Sequence, residues 1–202
     1  MPNLAFYRES CALLVGLRGG PESAAHKHMT YKIITDNQIR DLPVPKQYFQ
    51  YADAYLRAAI RQCEFLAELP LRGPWPDATV ALFLAAHAIE LFLKAAILLR
   101  EPGTDPATAG HDISKLTRKF RELFPEPEFG WEVPFSGEEL GQDVPPTIKS
   151  ERAMQSMVLR YPLNKKQMPW SQLSAMEPAT FKRDLLGWQE KFAQLQNRSR
   201  TS

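Results

Sequence analysis

Apolar residues recur at helical spacing in four stretches of this chain. From about Lys46 to Leu69, residues Phe49, Ala52, Leu56, Ala59, Cys63 and Leu66 step by three or four. That is one apolar face of an amphipathic helix. Pro70 and the following "RGPWP" end it. Ala78 to Leu99 is apolar almost all round, and Asp77, just after Pro76, stands where an N-cap is expected. "EPGTDPATAG" (101–110) carries only turn signals. A third helix is expected over 111–124, capped by Asp112, with Ile113, Leu116, Phe120 and Leu123 inside. The last is expected from Pro178 to Asn197, where Phe181, Leu185, Trp188, Phe192 and Leu195 step 4-3-4-3, a bundle-type seam.

The remainder is irregular. Phe124 to Ile148 has no Lys or Arg but carries Glu126, Glu128, Glu132, Glu138, Glu139 and Asp143, and reads as an acidic loop over 125–148. The basic segment 149–170 follows, with Lys149, Arg152, Arg160, Lys165 and Lys166. Within it "KSERAMQSMVLR" has helical character, and Pro162 disfavours helix at Tyr161. No strand alternates convincingly. The expected fold class is all-α: an antiparallel up-and-down bundle of four to five helices, with a long irregular insert before the last. Residues 1–45 read as an N-terminal extension, partly disordered, with Met29 as an alternative start. Residues 46–197 form the bundle and 198–202 a tail.

Composition narrows the classes. The chain has 202 residues, 44% of them hydrophobic and 24% charged, with a formal net charge of +2. That suits one globular domain and neither demands nor excludes an anionic partner. Cys11 and Cys63 give no disulfide framework and no zinc pattern. "ALLVGL" is short and lacks a preceding basic region, so no secretory signal is expected and the cytoplasm is the expected compartment. His26 and His28 sit in a tail-like segment and are read as tail rather than metal ligands. There is no Walker-type glycine loop, no G-x-G-x-x-G, no G-x-S-x-G and no H-E-x-x-H. No metal and no cofactor are expected.

One stretch needs explanation. "AHAIELFLKAAILLR" (86–100) is the most apolar part of the chain, yet holds His87, Glu90 and Lys94 on one stripe. In length it would span a membrane. A charge near a bilayer centre costs about 2.5–3.5 kcal/mol on insertion scales, and the neighbouring helices have polar faces suited to water. The expectation is therefore no membrane and a central helix of a bundle. Its charges must be partly solvated or matched by another segment, because a stranded buried charge is costly. The His111–Asp112 corner is the expected match, converging with Glu90 and Lys94 as a polar knot. Two other readings stay open: Lys94 and Asp112 at the start of the third helix as part of an anion or nucleotide site, or Glu90 with His111 as a catalytic pair.

"AHAIELFLKAAILLR", then "GHDISKL", then "LRYPLNKK" and a final amphipathic helix together resemble the HEPN superfamily, over roughly residues 46–197. The resemblance implies a helical bundle, a homodimer, and a place in prokaryotic defence, toxin–antitoxin or RNA-processing systems. It also implies metal-independent RNA cleavage, by an Arg followed after four to six residues by a His. Neither His26, His28, His87 nor His111 follows an Arg at that spacing. The balance therefore falls against catalysis; an enzyme of this kind would be a metal-independent endoribonuclease with an unorthodox site at Glu90, Lys94, His111 and Arg160. The expected function is a non-catalytic binding or regulatory module. Arg160, Tyr161, Lys165 and Lys166 are its candidate RNA contacts, with Tyr161 or Trp170 stacking on a base; the plainer alternative packs Tyr161 under the insert and pairs Arg160 with the acidic loop, and a related reading has the 126–143 loop cover the basic segment as a built-in competitor of RNA. A further alternative is a helical partner of a nucleotidyltransferase encoded beside it.

Overall fold

The computed structural model describes residues 34–70, 73–105, 110–137, 158–163, 166–168 and 175–198. Helix accounts for 69% of these residues and none is in a strand. The described helices are α1 (Asn37–Arg40), α2 (Val44–Ala67), α3 (Trp75–Arg100), α4 (Ile113–Leu123) and α5 (Pro178–Arg198), with a 3₁₀ turn at Pro127–Phe129. The fold is all-α. His26, His28, Cys11, Lys149, Arg152, Lys165 and Trp170 lie outside the described residues. So does most of "KSERAMQSMVLR".

Each helix end has a local cause. α3 begins at Trp75, ahead of the expected cap at Asp77, because proline is tolerated in a first turn whose N–H groups lack partners anyway. Asp77 thus sits within the first turn, where a carboxylate suits the positive end of the helix dipole. Its carbonyl accepts a bond from Gln62 Nε2 at 3.4 Å, which ties α3 to α2. α4 begins as expected: the Asp112 carboxylate accepts from the Lys115 N–H at 3.2 Å. At α5 the cap is Glu177, whose two oxygens accept from the N–H groups of Ala179 and Thr180 at 3.0 and 2.6 Å.

α3 is the centre of the molecule. It packs against α2, α4 and α5, and α2 also packs against α5. All six stripe residues of α2 are buried. Phe92 of α3 stacks on Phe192 of α5, with centroids 4.0 Å apart and planes 4° apart. It also meets Phe49, Phe120 and Trp131 at 5.7, 6.3 and 6.0 Å. One ring therefore joins every helix that faces α3. Cys63 lies in the same core, where burial pushes its thiol up to about 11; such a group is inert as a nucleophile.

α3 is long and apolar enough to cross a membrane, yet 67% of its most apolar window is buried inside the fold. That is the environment of the core helix of a soluble protein.

Two carboxylates of the acidic segment have partners among the described residues. Glu126 pairs with Arg100 at 3.1 Å and Glu128 with Arg198. Those two carboxylates fasten the 3₁₀ turn to the ends of α3 and α5. Both partners lie outside residues 149–170; residues 138–143 of the acidic loop and most of 149–170 lie outside the described residues.

Candidate functional site

Glu90 and Lys94 are one helical turn apart on α3, and both are inside the protein, 2% and 7% exposed. Charges are kept there only when each finds a partner. Lys94 Nζ donates to Glu90 Oε1 at 2.8 Å. The same oxygen accepts from His111 Nδ1 at 2.9 Å. On the other oxygen, His87 Nδ1 lies 3.8 Å away, close enough for charge attraction but beyond a hydrogen bond.

His111 arrives from the far side of a loop. α3 ends at Arg100, and Gly110 takes the left-handed φ of +64° that turns the chain back. Glu101 pins the loop's start to α4, accepting from Lys119 Nζ at 2.7 Å. The imidazole is then laid against Glu90 while its side chain stays 69% exposed. With the proton on Nδ1, as an acceptor at 2.9 Å requires, neutral His111 keeps Nε2 as an acceptor.

Burial works against ionisation of Glu90. The three nitrogen-bearing neighbours outweigh it: His87, then Lys94 by hydrogen bond and charge, then His111, and its carboxyl falls from 4.5 to about 2. The sign follows. A carboxyl depressed in the folded state adds stability that is present above pH 4.5 and is lost as pH falls toward 2. Urea midpoints measured across that window are therefore expected to fall more steeply for the native chain than for Glu90→Gln. Parallel slopes would mean that Glu90 is not held ionised by its neighbours.

The seam is closed. Phe83, His87, Glu90, His111 and Ile113 enclose a space that leaves about 10 Å³ for the centre of a water-sized sphere. That is room for about one water. Among the described residues, Lys94 does not line that space.

Outside the seam, rings bracket His87. Tyr55 meets it edge-on at 4.5 Å, and Phe83 lies parallel to it at 5.9 Å. Arg160 stands over the Phe83 ring, 5.4 Å from its centroid. Arg160 is thus beside the seam, while Tyr161 and Lys166 lie exposed along the same segment. Of the residues expected to converge, Glu90, Lys94 and His111 do so. Asp112 does not join them, because its carboxylate caps α4. Tyr55 and Phe83 were missed by sequence reasoning, because their meeting with His87 depends on how α2 packs against α3.

Fold and site together define an all-α protein whose central helix carries a buried carboxylate–ammonium pair sealed by an imidazole from a returning loop. Compared with known proteins, the chain matches no family model, no curated protein and no solved structure.

Proposed function

We propose that the chain is a HEPN-like helical module that binds RNA or a nucleotide without cleaving it. It acts in the cytoplasm as a homodimer, with a regulatory role in a prokaryotic defence, toxin–antitoxin or RNA-related system. One observation carries the non-catalytic part. The Glu90–Lys94 pair is used up internally, and the space beside it holds about one water. A knot of that kind ties the start of α4 to α3 rather than handling a substrate. The binding part is supported by the exposed Arg160, Tyr161 and Lys166, a cation-plus-aromatic set suited to a single-stranded backbone and its bases. Tyr51 and Phe65 on α2 and Val80 on α3 are large apolar side chains left about half exposed, which favours a covering partner.

Labelled single-stranded RNA tests the reading. The native chain is expected to retain intact RNA at low salt and to release it as salt rises. Lys166→Glu is expected to weaken retention. Failure to retain RNA at low salt would remove the binding part.

A second reading, a ribonuclease, rests on the exposed His111 imidazole held through Nδ1 by a buried carboxylate. That arrangement orients a general base in other enzymes. Cleavage by the native chain that vanishes in His111→Ala would establish it and overturn the non-catalytic one.

A further inference from the structure

A second concavity lies between α5 and the segment after the 3₁₀ turn, on different residues from the seam. Its volume is about 620 Å³, within the roughly 300–1,000 Å³ of small-molecule sites. Its walls are rings: Trp131 and Phe135 from the connecting segment, Phe181 and Trp188 from α5. Phe135 and Phe181 each meet Trp188 edge-to-face, at 5.9 and 6.0 Å. Phe135 holds a φ of +61°, a conformation rare for a bulky residue, while its ring lies against Trp188.

The rim is charged in both senses. Glu132, Asp184 and Glu190 supply carboxylates, and Arg183 and Lys191 supply cations. Among the described residues, none of the three carboxylates is taken by an ion pair or hydrogen bond. Gly187 lies between them in the middle of α5. A Cβ placed there would meet nothing within 4 Å. Packing gives no reason for glycine at this position, and the helix itself would favour alanine. What glycine leaves open is the concavity.

We infer that this concavity is a nucleotide site. A purely apolar ligand would leave the free carboxylates and cations unused. A lone phosphate would leave the rings unused. A nucleotide engages all three sets: its base stacks on the indole faces, its amino and imino N–H groups donate to a carboxylate, and its phosphate meets Arg183 or Lys191. Guanine is the base that offers one carboxylate two adjacent N–H donors. The assignment rests on the ligand part of the reading above and gives it a place.

The test is titration of the full chain with GMP, followed by tryptophan fluorescence. The expected result is saturable quenching by GMP, weaker quenching by AMP and none by inorganic phosphate. Gly187→Met puts a side chain into the concavity from a helical position that tolerates one. It is expected to melt no lower than the native chain and to show no saturable quenching. Absence of saturable quenching in the native chain, or unchanged affinity in Gly187→Met, would overturn the assignment. Equal affinity for AMP would overturn the carboxylate contact. Displacement of GMP by a short guanine-rich RNA assigns the site to a strand; GMP held against that RNA assigns it to the free nucleotide. Loss of GMP binding with RNA still retained through Lys166 removes this inference alone. Loss of RNA retention with GMP still bound removes the RNA reading alone.

Discussion

Replacing Lys94 by methionine is expected to destabilise the fold by about 3–5 kcal/mol, the usual cost of removing one member of a buried ion pair. Methionine fills nearly the same volume, so the loss is electrostatic rather than a cavity. Glu90, 2% exposed, would keep its carboxylate in the core with only the two imidazoles against it. The double replacement Glu90→Leu with Lys94→Met removes both charges and is expected to be far milder, neutral or stabilising by about 1–4 kcal/mol. His111 then loses its acceptor, at little cost because most of its side chain is in water. Urea unfolding of the two single variants and the double variant reads the coupling directly. A single Lys94→Met loss below about 1 kcal/mol, the range of a surface pair, would show that the seam is open to solvent.

Phe92→Ala is the second large effect, expected to cost about 3–5 kcal/mol. The ring is fully buried and touches aromatic neighbours from α2, α4, α5 and the segment after the 3₁₀ turn. These neighbours are themselves held by other contacts, so the space left behind collapses poorly. Leu186→Ala, half exposed on α5, is the contrasting case with a much smaller expected loss. Urea midpoints compare the two. Similar losses at both positions would contradict the central place given to Phe92.

Periodicity made the buried stripe of α2 legible, missing only Ile60, with its ends placed within two residues, because a helix with one buried face repeats its pattern locally. In α5 the same pattern was only half informative. Leu185, Phe192 and Leu195 are buried, but Phe181 and Trp188 of the same seam are only partly so. Those two rings line the concavity, and a stripe of apolar residues looks alike whether it faces a core or a groove. The start of α3 was misplaced by three residues, with the cap expected at Asp77 and found at Pro74, since both a cap and a first-turn acid suit the same helix end. Asp112 and His111 are adjacent in the chain yet serve different ends, one bonding a backbone N–H of α4, the other a side chain of α3.

The sequence by itself determined the all-α character, the inner faces of α2 and α4, and the placing of Glu90 and Lys94 one turn apart. These follow from the 3.6-residue repeat, which acts over a few neighbours. Only the tertiary structure decided that His111 and not Asp112 completes the pair, that Arg160 stands over Phe83, and that α5 keeps an open aromatic wall around Gly187. Those outcomes depend on groups far apart in the chain. They are settled when helices pack and each buried charge takes the partner that packing brings within reach.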